Sequence, residues 1–327
     1  MAFVASGWEP IDISEEELAD GDAYHNALYH NGDTRNPAEW HKISVEKLID
    51  LAIPHIKDGA LIVDYGCGTG GSAIELLKTL DMRGLEVELV LIDPLVSWFS
   101  KAREILGERD NVHFELSVQT DNSGKRSFRR LEEMLSGRKA NLIISSSTLH
   151  LIPEKTIGDL MIQFANSLDE DGVLIWDSGD LESDLRPENS ALLHDPYRHV
   201  REILREDNMR YSRLSDMSVA DREKHERRLD RIFPSPTHLQ VILDALGDVG
   251  FSIEVSDLVV DFSNGDAERF ILVPRLAEIA APLLKGKERS IAIKSALRDS
   301  LELIANNGRG TGTHYRSHWV YGFHKLT

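Results

Sequence analysis

The chain has 327 residues, 41% hydrophobic and 28% charged, an ordinary globular composition with apolar material for a sizeable core. Its formal net charge of −18 argues against general binding to nucleic acid or anionic membranes, because a polyanion is repelled at long range. The single cysteine, Cys67, excludes an internal disulfide, and no apolar run approaches the ~20 residues of a membrane span.

In chain order, "MAFVASGWEPIDISEEELADGD" turns acidic at once and lacks the charge order of a secretion signal. With one cysteine, a cytoplasmic protein is the simplest expectation. Residues 1–55 read as a helical cap, containing the Tyr- and His-rich "AYHNALYHNGDTRNPAEWHK". Apolar β-rich runs follow: "ALIVDY" (60–65), "VELVLID" (87–93), "NVHFEL" (111–116), "NLIISSS" (141–147) and "GVLIWD" (172–177). Between them "GSAIELLKTL", "SWFSKAREIL", "SFRRLEEML" and "IGDLMIQFANSL" carry apolar residues at three- and four-residue steps, the helical period. Near-continuous apolar strands alternating with helices predict an α/β fold, a mostly parallel sheet with helices on both faces. The alternation breaks at about 180–238, read as polar loop and charged helix without a strand. "PTHLQVILDALGDVGF" restores an amphipathic helix, "FSIEVSDLVVDF" is a strand, and "AERFILVPRLAEIAAPLL" and "RSIAIKSALRDSLELIA" are helices, a second helical insertion near 267–308. "HYRSHWVYGFHKL" is the last strand. The core is thus expected at 56–179 and 239–327, with a lid insertion at 180–238.

Residues 63–71, "VDYGCGTGG", satisfy both G-x-G-x-G and, through Gly66, Gly68 and Gly71, G-x-G-x-x-G. Glycines there let backbone approach a ligand, and the helix that follows offers free N–H groups. Asp64 sharpens the choice. A carboxylate two residues before the turn disfavours a dinucleotide's pyrophosphate and suits a ligand with an ammonium and a sulfonium, as in S-adenosylmethionine. Asp93 ends the second strand in "LVLIDP", where a carboxylate accepts ribose hydroxyls, and a helix cap is its alternative role. Trp98 follows, placed either to stack on adenine or to pack helix on sheet.

"VDYGCGTG", "LIDP", "NLIISSSTLHLIP", "DGVLIWD" and "LGDVGF" together resemble the successive motifs of class I S-adenosylmethionine-dependent methyltransferases, over roughly 45–180 and 237–260, with a plausible last strand at 314–325. The resemblance implies a Rossmann-like seven-stranded sheet whose last strand is antiparallel. It implies S-adenosylmethionine as cofactor, with Asp64, Gly66, Gly68 and Gly70 along its methionine and ribose portion. Asp93, followed by Pro94, would hold the ribose, and Ser145 and Ser146 would lie beside the donor. Where the family often has an acid for the adenine amine, this chain has Val118, and Gln119 or a backbone carbonyl is the stand-in.

On the acceptor side, His150 in "TLHLIP" is the candidate catalytic residue, with packing of its loop as the alternative. Tyr24, Tyr29 and Trp40 are expected either to roof the site or to pack the cap onto the core. The insertion resembles the lids of trans-aconitate, fatty-acid and juvenile-hormone-acid methyltransferases. Residues 198–231 hold nine Arg and one Lys against eight acids. Arg198 and Arg201 there, or Arg316 on the last strand, are candidates to bind a carboxylate, with a surface position or an ion pair as the alternative. His314 and His318 flank the last strand and are read as surface residues. No Cys/His ligand cluster supports a metal. The resulting expectation is methyl transfer to O or N of a small molecule, a carboxylate-bearing metabolite among the candidates, with no nucleic-acid partner. A nucleic-acid or protein methyltransferase, a nicotinamide-dependent oxidoreductase and a silent binding module are the competing readings. A homo-oligomer is allowed but not specified.

Overall fold

The computed structural model describes residues 13–120, 124–206 and 217–327. The rest of the acidic start and part of the basic stretch, 207–216, lie outside the described residues. Seven strands form the central sheet, numbered here in chain order: β1 (Ala60–Tyr65), β2 (Val87–Asp93), β3 (Val112–Leu116), β4 (Ala140–Ser146), β5 (Leu168–Ser178), β6 (Glu254–Ser263) and β7 (His314–Lys325). Their order across the sheet is 3-2-1-4-5-7-6. β1 pairs in parallel with β2 and β4, and the parallel array continues to β3 and β5. β7 is antiparallel to both neighbours, Val320 lying opposite Ser178 of β5 and Asp257 of β6. The late strand is thus inserted inside the sheet, as the resemblance implied.

Alternation within the strands builds two cores. Ile62, Leu89, Leu91, Leu142 and Ile144 face one side, where α2 (Glu39–Ala52), α3 (Gly71–Arg83) and α4 (Val96–Leu106) bury Leu48, Leu77 and Phe99. Leu61, Val63, Val90, Ile143 and Leu174 face the other, against α6 (Glu154–Ser167) and α9 (Leu239–Asp248). Each fully buried side chain of this kind is worth about 1.5–3 kcal/mol, so the two-sided burial enforces the register. β1 sits where the strand order reverses, and the crevice outside its carboxyl end is where such sheets bind ligands.

Three elements differ from expectation. The helix expected over 267–284 is broken into α10 (Asn264–Ile271) and α11 (Pro274–Ala280), because Pro274 has no N–H to continue the ladder and starts the second helix instead. The helix expected in "SFRRLEEML" shrinks to one turn, α5 (Leu131–Met134), because Arg126–Phe128 pairs antiparallel with Val118–Thr120. The segment between β5 and α9 holds α7 (Asp195–Glu206) and α8 (Val219–Ile232), and its ends meet in a short parallel ribbon, Leu181–Glu182 with Thr237–His238. α1 (Glu15–Leu28), capped by Ser14, and α12 (Gly286–Asn306) complete the helices used below.

Candidate functional site

β1 runs into the glycine turn, which is pinned from two sides. The N–H groups of Gly66 and Cys67 donate to Ile92 O at the end of β2, at 2.8 and 3.1 Å. Thr148 Oγ1 donates to Gly66 O at 3.1 Å. Gly66 has φ +80°, and a Cβ there would stand 2.2 Å from Thr148 Oγ1, so the position requires glycine on both counts. Asp93 closes the turn: its carboxylate accepts from Gly68 N at 2.8 Å and Leu95 N at 2.7 Å.

These pieces wall a cavity of about 260 Å³. Of the expected donor residues, Gly66, Gly68, Asp93, Pro94, Trp98 and Ser146 line it. Tyr24 and Trp40 line it too. Others do not. Asp64 is drawn behind the turn, where Ser72 Oγ at the start of α3 donates to it at 2.7 Å. Gly70 packs against Ala102 and Leu106 of α4. Ser145 is turned under the sheet and donates to Tyr65 O. Gln119 is exposed, because the ribbon Val118–Thr120 turns its side chain outward; Ser117 and Phe128 line the cavity in that quarter. Tyr29 is buried beneath the turn, its hydroxyl donating to Gly71 O and Glu75. Trp98 stacks on Tyr24 of α1, ring centroids 3.9 Å apart and planes 10° apart, and its indole N–H donates to Asp20.

Three carboxylates are buried around this cavity. Burial pushes Asp64 up to about 7, against the lowering effect of Ser72, and Asp93 adds repulsion. Burial pushes Asp93 up to about 6, with the N–H groups of Leu95 and Gly68 holding it down. Asp177, at the end of β5, is pushed by burial up to about 7; it accepts from Ser147 N at 2.8 Å and Ser146 Oγ at 3.1 Å, and Asp64 repels it. One oxygen of Asp64 is buried with no hydrogen-bond partner among the described residues. None of the three forms an ion pair within the described residues. Ser147 holds the left-handed φ +50°, unusual for a residue with a side chain, between Asp177 and the cavity.

A second cavity, of about 120 Å³, shares Tyr24, Trp40, Leu95, Trp98, Ser147 and Leu151 with the first. Its far wall comes from elsewhere in the chain: His150 after β4, Leu193 and His194 before α7, Phe233 after α8, Phe270 of α10 and Arg275 of α11. His150 is buried and held neutral, lowered to about 3 by burial and by His194. Arg198 does not face the cavity. It is locked to Asp180 and Asp195 and to Pro234 O. Arg201 donates to Phe233 O, and Arg316 lies on neither cavity wall. His314 is partly exposed beside Asp261, whereas His318 is buried against Asp257, not a surface residue. His194 and Asp180 escaped the sequence reading, because nothing in "SGD" or "LLHDP" marks them.

No family model matches the chain, and no curated protein matches it. Solved structures do. A putative sarcosine dimethylglycine methyltransferase from Galdieria sulphuraria is 14% identical, covering 96% of this chain and 99% of its own, with a TM-score of 0.52. The cyclopropane synthase MmaA2 from Mycobacterium tuberculosis is 12% identical over 96% and 95%, with a TM-score of 0.51. Coclaurine N-methyltransferase, bound to N-methylheliamine and S-adenosylhomocysteine, is 14% identical over 96% and 79%, with a TM-score of 0.50. The chain has the fold of these three proteins. At such identity the likeness extends to the fold and no further.

Proposed function

We propose that the chain is an S-adenosylmethionine-dependent methyltransferase that modifies O or N of a small molecule. The observation that carries this reading is the trio of buried, unpaired carboxylates, Asp64, Asp93 and Asp177, around the glycine turn. Three acids held above their ordinary range in one neighbourhood form a site for positive charge. A diphosphate there would add negative charge to that cluster, which disfavours the nicotinamide reading. The fold likeness and the ligand named with coclaurine N-methyltransferase support the same donor.

The residues present fit such a donor. Asp93 stands on the cavity wall, pinned by two N–H groups and with lone pairs left for ribose hydroxyls. Asp64 and Asp177 supply charge from behind the wall. Trp98, with one face on Tyr24, and Phe128 at the mouth bound the cavity with aromatic surface. When bound, the donor supplies an electrophilic methyl group on a sulfonium. The adjoining apolar cavity would hold the acceptor beside the donor. Small-molecule acceptors suit a second cavity of about 120 Å³, enclosed by Phe233 and Phe270. No described helix is long and apolar enough to cross a membrane.

Calorimetry with S-adenosylmethionine, S-adenosylhomocysteine and a nicotinamide dinucleotide tests the reading. Micromolar-range binding of the first two and none of the third is expected. Binding of the dinucleotide alone reverses it.

A further inference from the structure

The floor of the second cavity holds a proton-handling arrangement that rests on the methyltransferase reading and narrows it. Asp180 is buried and accepts four hydrogen bonds: from His194 N at 3.1 Å, His194 Nδ1 at 3.0 Å, Arg198 Nη1 at 3.1 Å and Arg198 Nη2. Burial alone would raise this carboxyl; His194 and Arg198 overcome that and hold it well below the usual range, so it is ionised. A carboxylate accepts only, so His194 Nδ1 carries a proton; in the neutral imidazole this places the lone pair on Nε2.

His150 presents the opposite face. Ser178 Oγ accepts from Asp180 N at 3.1 Å and lies 2.9 Å from His150 Nδ1. The serine proton has no other acceptor among the described residues, so we assign it to that nitrogen, which puts the proton of neutral His150 on Nε2 and makes it a donor. The two imidazoles meet edge to face with centroids 5.2 Å apart, and both line the cavity. A ring nitrogen of each and an Asp180 oxygen lie within 4.8 Å of one another, a spacing that also suits a metal ion. The Arg198 guanidinium on Asp180 opposes that use: it occupies the carboxylate and places a fixed positive charge beside it.

We propose that His194 is the general base of this site and His150 its hydrogen-bond donor, and that the acceptor is a neutral hydroxyl on a flat, mostly apolar molecule, a phenol or enol. A hydroxyl oxygen has two lone pairs and one proton. It accepts from His150 Nε2, donates to His194 Nε2 and still has a lone pair for attack. A neutral amine held by the same donor would spend its only lone pair, and a carboxylate has no proton to give and would face the lone pair of His194. In the transfer, the hydroxyl oxygen forms a bond to the donor's methyl carbon as the carbon–sulfur bond breaks with its electrons left on sulfur. The hydroxyl proton passes to His194 Nε2, and the imidazolium is stabilised by Asp180. Phe233 and Phe270 flank His194 at 5.4 and 6.0 Å between centroids, walls suited to a flat ring. Arg275 stands exposed at the rim and forms no ion pair among the described residues, available to an anionic substituent. Asp180 and Arg198 are positioning residues. The charged and titratable groups around His194 are Asp180, Arg198, Asp195, Tyr197 and His150, with Arg275 across the cavity.

The probe is 4-nitrophenol, whose phenolate absorbs visible light. Added to protein saturated with S-adenosylhomocysteine, it is expected to bind saturably and to turn yellow at a pH about one unit lower than the free probe, because His194 takes its proton. H194Q should abolish that displacement while keeping the binding. H150Q should weaken the binding. Its amine counterpart, 4-nitroaniline, should bind about tenfold more weakly, one lost hydrogen bond to a buried group. Absence of saturable 4-nitrophenol binding, an unchanged yellowing pH, a displacement that survives H194Q, or equal binding of the aniline overturns the proposal. The wild-type spectrum decides by itself if H194Q does not fold. Failure of S-adenosylhomocysteine to bind in calorimetry brings down the methyltransferase reading first; binding of it without binding of the phenol brings down this inference alone.

Discussion

The molecule buries carboxylates in two ways, and the contrast separates its two cavities. Around the glycine turn Asp64, Asp93 and Asp177 have serine hydroxyls and backbone N–H groups but no ion-pair partner among the described residues, Arg275 acting on Asp93 only at a distance, and burial holds all three above their ordinary values. Beside the second cavity Asp180 is saturated by Arg198 and His194 and stays ionised. An uncompensated acid keeps its free energy of interaction for a ligand that arrives later. A compensated acid has used it already, to fix the orientation and tautomer of a histidine.

Substitutions can break this contrast. The largest effect is expected at His194: H194Q should lower the rate of methyl transfer to a phenol on the order of 10²–10⁴-fold with little change in donor affinity. D93N should weaken the donor about 10- to 100-fold in calorimetry, the loss expected for hydrogen bonds of about 1.5–3 kcal/mol to a charged group. D64N should move stability and binding in opposite directions. Its folded value near 7 lies above the ordinary value of 3.8, so the folded state binds the extra proton and its stability falls as pH rises through that window. The neutral amide escapes this cost, and thermal unfolding at pH 8 should show a gain on the order of 1–3 kcal/mol with a weaker donor. A D64N protein no more stable than wild type at that pH would deny that Asp64 is uncompensated. The same linkage predicts that affinity for S-adenosylmethionine rises with pH up to about 7 and then levels, because a bound cation favours the ionised carboxylates; S-adenosylhomocysteine, without the sulfonium, should show a shallower rise. The smallest effect belongs to the aromatic rim: F128A should cost about 0.5–1.5 kcal/mol of donor binding, and Q119A nothing measurable.

Legibility in the sequence follows the same division. The first cavity is built from strand ends and the turns directly after them, so Gly66, Gly68 and Asp93 follow from locating apolar runs and reading what ends them, whereas Ser146 came with the family resemblance. The inserted antiparallel β7 came with the family resemblance, since no local pattern says which neighbours a strand will choose. Gln119, named as stand-in for the acid the resemblance places there, is turned outward because Val118–Thr120 pairs with Arg126–Phe128, which leaves Ser117 inside. The second cavity and its floor join His150, Asp180, His194, Phe233, Phe270 and Arg275, each in a different loop or helix. Their meeting is set by packing of α7, α10 and α11, which periodicity does not encode. Arg198 was singled out for its charge, but its partner is internal, because Asp180 lies one turn-and-strand away in a segment that read as plain loop.

Tyr24 is a party wall. Its ring belongs to the lining of both cavities, rests on Trp98 and passes near Gly68, and burial and Asp93 keep its phenol protonated. With Trp40, Leu95, Trp98, Ser147 and Leu151 it forms the partition that the two chambers share.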